Sequence, residues 1–353
     1  MPQAKTFHEQ TDLENTLKLR EVLKTLPEFS RDFFRGISQT TSASTRIKYA
    51  YDIRIFFQYL HEANPVFAKT PVTSYTIDIL DKVSALDLEE YIEYLKAYNR
   101  SGTDELITNG EKGLKRKLSA LRAFYAYYYK REMISTNPTL LIDMPKLHQK
   151  EIIRLDPGEV ASLLDYIEHA GDGLSKHQKA YYEKTKVRDL AIITLLLGTG
   201  IRVSECVGLD IPDVDFRNGC IHVFRKGGNE MFVYFGDEVA KALYDYLEIR
   251  KEMNTLQGHE NALFLSSQNK RISVKAVENL VSKYSKAITT TKKITPHKLR
   301  STYGTQLYQE TGDIYLVADV LGHKDVNTTK RHYAAMSDMR RRSAANAVKL
   351  REE

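Results

Sequence analysis

The chain has 353 residues, 42% of them hydrophobic and 28% charged, with two cysteines and no tryptophan. That length suits about two domains with proper cores, and the composition excludes a disordered polymer. Lys and Arg number 52 against 46 Asp and Glu, a net charge of +6 that fits a nucleic-acid partner without requiring one. Cys206 and Cys220 cannot build a disulfide scaffold or a cysteine zinc site, which fits a reducing compartment. The polar stretch from Met1 to Gln10 lacks the apolar region of a signal peptide. The longest apolar run, Leu190 to Leu197, falls far short of the ~20 residues that cross a bilayer. A cytoplasmic protein with no membrane partner is expected.

Residues 1–150 read almost wholly helical. Thr45 to His61 carries Ile47, Tyr51, Ile55 and Tyr59 at steps of four, the spacing of one helix face. Asp87 to Tyr98 follows, with Leu88, Tyr91, Ile92 and Leu95 on one stripe. Gly110 to Arg131 is a third helix, with Leu114, Leu118, Leu121 and Tyr125 turned inward. The same helix holds Lys112, Lys115, Arg116, Lys117 and Arg122. A solvated surface accounts for such a basic face, and so does a helix laid against phosphates. Asn137-Pro138 and Met144-Pro145 interrupt the helical pattern, and the polar run from Lys146 to Glu151 reads as a linker. The boundary between two domains, 1–150 and 151–353, is placed there.

The second part is mixed. Asp156-Pro157 opens a helix running to about Ala170, and Gly171 to Lys184 is polar and reads partly as loop. Val187 to Leu197 is apolar on nearly all sides, as a central core helix would be. Gly219 to Arg225 and Glu230 to Phe235, joined by Lys226-Gly227-Gly228-Asn229, form a strong hairpin signal. Helices are then expected over Glu238 to Glu252, Ser273 to Ile288, Thr295 to Glu310 and Ile314 to Leu321, with a terminal helix after Tyr333. The fold class is mainly α with a small antiparallel β-sheet.

Four scattered segments hold polar residues with chemistry in them. In Gly198-Thr199-Gly200-Ile201-Arg202-Val203-Ser204-Glu205, the glycines end a buried helix and release the chain. Arg202 can then project from a new helix start, with Glu205 three residues on able to hold its guanidinium. A structural ion pair would explain those two equally well. Lys226 sits at the hairpin tip, where a lysine is either a solvated end or an ammonium pushed into a groove. Thr295-Pro296 opens a helix that puts His297 and Arg300 on one face and Leu299 toward the core. Leu321-Gly322-His323 is followed ten residues later by Tyr333. Taken singly, each segment is also ordinary surface or helix end.

Order and spacing change that reading. Arg202, Lys226, His297 with Arg300, His323 and Tyr333, at intervals of 24, 71, 26 and 10 residues, resemble the tyrosine recombinase (phage integrase) family. The resemblance covers essentially the whole chain and rests on five separated elements. It implies a helical N-terminal core-binding domain that clamps DNA, a linker, and a mixed α/β catalytic domain. Leu174-Ser175-Lys176, the run from Arg188 to Ile193, Gly200 to Glu205, Arg225-Lys226-Gly227-Gly228 and Thr295 to Arg300 look like the single-component Xer recombinase of streptococci. One departure is Ser301, where the family often has a second histidine.

What the resemblance implies is strand cleavage and rejoining by transesterification, without a cofactor or metal. A nucleophile holds the phosphate covalently and so keeps the bond's energy for rejoining. A tyrosine has a pKa of about 10, so only about 0.1% is ionised at pH 7 and the site must assist its attack. Arg202 and Arg300 would grip the non-bridging oxygens, and Glu205 would support Arg202. His323 would donate to the same phosphate. His297 would accept the proton from Tyr333, and Lys226 would protonate the leaving 5′ oxygen. Lys112, Lys115, Arg116, Lys117 and Arg122 would face the duplex. Residues 1–150 carry 22 Lys and Arg against 19 Asp and Glu, so binding must rest on how charge is arranged.

The partners implied are double-stranded DNA with a dif-like site, a homotetramer on two such sites, and an FtsK-type DNA translocase as activator. The tail after Tyr333, with Ala344, Ala347 and Val348 on one stripe, must dock somewhere, either on its own domain or, as the resemblance implies, in a neighbouring subunit. Chromosome dimer resolution before segregation is the expected role. Integration of a mobile element uses the same chemistry. A type IB topoisomerase-like relaxase shares the residue set but exchanges no strands, and an architectural DNA-binding protein would not need the set at all.

Overall fold

The computed structural model describes residues 6–99, 102–148, 152–171, 175–225, 229–323 and 326. Lys226, Tyr333 and the tail beyond it lie outside the described residues. The chain divides into two compact units, Met1–Lys150 and Glu151–Glu353.

In the first unit, α1 (Phe7–Leu23), α2 (Ser30–Gly36), α3 (Ala43–Ala63), α4 (Ala85–Lys96) and α5 (Glu111–Tyr129) surround an aromatic core. Phe33, Phe56, Phe57, Phe124, Tyr125 and Tyr128 are all buried in it. Phe29 sits at its edge, where its ring meets Tyr128 edge-on at 5.6 Å and its carbonyl accepts the Tyr128 hydroxyl at 2.7 Å. Helix starts follow from local sequence: Thr6 with Glu9 and Ser84 with Asp87 close reciprocal capping boxes on α1 and α4.

Leu114, Leu118, Leu121 and Tyr125 of α5 all point into the core, as their spacing predicts. In α3 the expected face is wrong in part. Tyr51 is exposed and Ile55 half-buried, while Ile47, Ala50, Ile53, Phe57 and Leu60 line the core. A strict four-residue step drifts about 40° per repeat on a helix of 3.6 residues per turn, so Tyr51 and Ile55 step across the solvent side and Tyr59, the fourth expected position, returns to the core. The short antiparallel pair β1 (Ala97–Asn99) and β2 (Leu106–Thr108) corrects the all-helical expectation; three-residue strands are too short to show a period.

The second unit opens with α6 (Pro157–His169), capped by Asp156 and Glu159 with Pro157 in the first turn. Next, α7 (Lys176–Thr199) is much longer than its apolar stretch suggests. Its polar first half reads partly as loop in the sequence, but Ser175 and Gln178 cap it, and from residue 176 to 184 only Tyr182 is buried. The second half is the core: Ala191, Ile192, Ile193, Leu195 and Leu196 are fully buried. After α8 (Val203–Gly208), the strands β3 (Val214–Asp215), β4 (Cys220–Phe224) and β5 (Glu230–Tyr234) form one antiparallel sheet in that order. Ile221 faces Val233 and Val223 faces Met231 on the inner side. Finally α9 (Asp237–Lys251), α10 (Val274–Ile288), α11 (Pro296–Thr311) and α12 (Ile314–Leu321) complete the unit, with α7 packed against α6, α9 and α11.

Candidate active site

Three helix junctions build the site. The first is the end of α7. Gly200 adopts a left-handed conformation (φ 61°), and a Cβ there would run into the Tyr303 ring. This turn restarts the chain with Arg202 as the N-cap of α8. Glu205 then accepts the Arg202 backbone N–H at 2.8 Å and its Nη1 at 2.7 Å. The Glu205 side chain is 2% exposed and that of Arg202 36%, so a buried carboxylate holds a guanidinium that still reaches solvent.

The second junction is the start of α11. Pro296 occupies its first position, Leu299 is buried, and His297 stands exposed on the first turn. Arg300 points inward instead. Its Nη1 donates to the Gly200 carbonyl at 2.6 Å and its Nη2 to the Leu321 carbonyl. The third junction is the end of α12, where Gly322 is again left-handed (φ 61°). The N–H groups of Gly322 and His323 turn back to the carbonyls of Asp319 and Ala318 at 2.7 and 2.9 Å. This closed turn fixes where the backbone of His323 leaves the helix.

The three junctions meet. Arg202 Nη2 donates to the Gly322 carbonyl at 3.3 Å, beside the Arg300 bond to Leu321. A third guanidinium joins them: Arg225, at the end of β4, donates from Nη2 to the Val320 carbonyl at 2.8 Å. Arginines from three separate elements thus end on three successive carbonyls, the negative end of α12. Glu205 is the carboxylate hydrogen-bonded into this group of cations. Burial pulls the Arg225 pKa below the ordinary guanidinium range, with Arg202 adding to that effect and Glu205 and Asp319 opposing it. An oxyanion arriving here would meet forked donors already charged and oriented. Among the described residues, no three His, Cys, Asp or Glu side chains gather as metal ligands.

The structure therefore brings Arg202, Glu205, Arg300 and His323 to one corner of the second unit. Arg225 had no expected role. Its signal was the strand period: Ile221 and Val223 face inward, and residue 225 continues that face. A cation at an inward register has a reason to be there. The basic face of α5 needs correction. Lys117 is buried, donates to Asn109 Oδ1 at 2.9 Å and lies 4.0 Å from Asp52. Arg122 donates to the carbonyls of Thr139 and Ile142 at 3.1 and 2.5 Å. Both side chains are engaged within the first unit rather than presented to solvent. Lys112 is exposed, Lys115 half-buried, and Arg116 is exposed but paired with Asp52.

The family model described as the phage integrase family matches residues 154–340. The chain belongs to that family. It is a site-specific DNA recombinase of the Xer tyrosine type. Tyrosine recombinase XerC of Caldanaerobacter subterraneus subsp. tengcongensis is 34% identical, over 96% of this chain and 91% of that protein. Tyrosine recombinase XerS of Streptococcus uberis is 30% identical, over 91% of this chain and 95% of that protein. Among solved structures, the XerH site-specific recombinase bound to difH substrate in a pre-cleavage complex has the same fold. It matches with a TM-score of 0.59 at 20% identity, over 82% of this chain and 76% of that one. The Tn1549 transposon integrase in complex with circular intermediate DNA matches at 0.60 and 21%, over 87% and 97%. No helix among the described residues of this recombinase is long and apolar enough to cross a membrane.

Proposed function

We propose that this recombinase cuts and rejoins DNA through a 3′-phosphotyrosyl link to Tyr333 and resolves chromosome dimers at a dif-type site. The observation that carries the reading is the convergence of Arg202 and Arg300 on the corner that presents His323. In the reaction, the Tyr333 oxygen attacks phosphorus and the bond to the 5′ oxygen breaks. The phenol proton passes to His297, and Lys226 donates one to the departing 5′ oxygen. Arg202 and Arg300 exchange backbone carbonyls for the two non-bridging oxygens and oppose the charge growing on them. Glu205 keeps Arg202 in register. The freed 5′-hydroxyl then attacks the partner duplex.

The XerC and XerS relatives, alike over most of their length, support a Xer-type role over that of a mobile-element integrase, and a dif-type site and a place in the cytoplasm go with that role. A homotetramer on two sites and activation by an FtsK-type translocase belong to the same reading, as does a first unit that clamps the duplex. The test is to trap covalent protein–DNA complexes on a dif-like duplex and sequence the junction. Wild type should yield an SDS-resistant adduct at one phosphate, and Tyr333→Phe should yield none while still binding. An adduct persisting in Tyr333→Phe would remove Tyr333 from the role. Adducts that form on mobile-element end duplexes run in parallel but not on the dif-like duplex would replace dimer resolution by integration.

A further inference from the structure

Arg225 is expensive to keep where it is. The residue is 9% exposed, and its Nε has no hydrogen-bond partner among the described residues. The nearby carboxylate of Glu205 is already engaged by Arg202. A buried cation with so little compensation is a poor stabiliser, and an apolar side chain of the same volume would hold the sheet at least as well. Packing alone does not account for it.

Its connections do. The Arg225 backbone N–H donates to the Asn229 carbonyl at 2.7 Å, so it is the last described residue before the hairpin tip and is held in the ladder. Lys226 is the next residue in the chain. At the other end, the guanidinium holds the Val320 carbonyl and lies against Gly322, where any Cβ would fall on Nη1. His323 is the next residue there. One side chain therefore ties the backbone beside Lys226 to the backbone beside His323.

We propose that Arg225 is a positioning residue of the recombination reaction, tying the strand end that Lys226 follows in the chain to the Gly322 corner that His323 follows. The inference rests on Lys226 acting as the general acid. Gly322 is then required twice, for its left-handed backbone and for the space the guanidinium fills.

A leaving group that needs no proton separates this role from a structural one. The full-length protein is given a dif-type duplex with either oxygen or sulfur at the 5′ bridging position, and covalent adduct is measured for Arg225→Ala, Arg225→Lys, Lys226→Ala and the double variant. On oxygen, Arg225→Ala should lose about 10²-fold or more, the order a general acid contributes, with Arg225→Lys in between. On sulfur, Arg225→Ala and Lys226→Ala should both return to near the wild-type rate. The double variant should be no slower than Lys226→Ala alone, because both act through one group. If Arg225→Ala melts early, Arg225→Met fills the same space without a donor and carries the same comparison. Rescue of Lys226→Ala but not of the Arg225 variants would overturn the positioning role while leaving the general acid intact. No rescue of Lys226→Ala would overturn both.

Discussion

Glu205 offers the sharpest test of how the site is held. Glu205→Ala removes the acceptor of two bonds, one to the Arg202 side chain and one to its backbone N–H. A hydrogen bond to a charged group contributes about 1.5–3 kcal/mol, and a lost helix cap about 1 kcal/mol. Breaking a fully buried pair costs roughly 3–5 kcal/mol, but the Arg202 side chain is 36% exposed and water can replace part of what is lost. The expected loss is therefore about 2–3 kcal/mol, a drop of roughly 4–12 °C in the melting point of a unit of this size. Cleavage should fall further than stability explains, by about 10²-fold at temperatures where the variant is fully folded, because an unheld Arg202 is misplaced toward the phosphate. Glu205→Gln, which keeps an acceptor without the charge, should fall in between. The assays are thermal or urea unfolding and single-turnover adduct formation on a nicked duplex. A Glu205→Ala protein that melts with wild type and cleaves at its rate would refute the idea that a buried carboxylate positions this arginine.

Other expectations concern the rest of the chain. Asp52→Ala should cost about 3–5 kcal/mol in urea unfolding, because Lys117 is left buried without its counter-charge, whereas Lys117→Met should cost less than about 1 kcal/mol. In salt titrations of DNA binding, Lys117→Met should leave the slope unchanged, while Lys112→Ala should reduce it by about one if α5 faces the duplex. Thr302→Val should destabilise by about 1–3 kcal/mol, since the buried Leu155 N–H that donates to its hydroxyl at 3.0 Å would lose its acceptor. Burial pushes the Cys206 thiol up to about 12 and raises that of Cys220. Both should stay neutral thiols at pH 8 and resist a disulfide reagent in the native protein, reacting only in denaturant; fast native labelling would contradict the buried placement.

Much of this protein is written locally. Capping pairs such as Asp156 with Glu159, the left-handed glycines at 200 and 322, the hairpin either side of residues 226–228, and the inward stripe of α5 each depend on residues within a turn or two. The sequence by itself therefore determined most of the helices, the β4–β5 hairpin and the family to which the spacing of Arg202, Arg300 and His323 belongs, but not α1, α2 or the short strands β1, β2 and β3. It could not say which cations face water. Lys117 and Arg122 lie on a helix whose basic positions look alike in sequence, and only Asp52, Asn109 and two distant carbonyls draw those two inside. Nor could it show that α7 begins with a polar half, because turns solvated on nearly all sides carry no apolar period. Arg225 makes the point most clearly. Its partners are Val320 and Gly322, about a hundred residues away, and a hydrogen bond of that span exists only once β4 and α12 have packed together. Local physics chose the elements. Long-range packing chose which charges are buried, and with them the shape of the site.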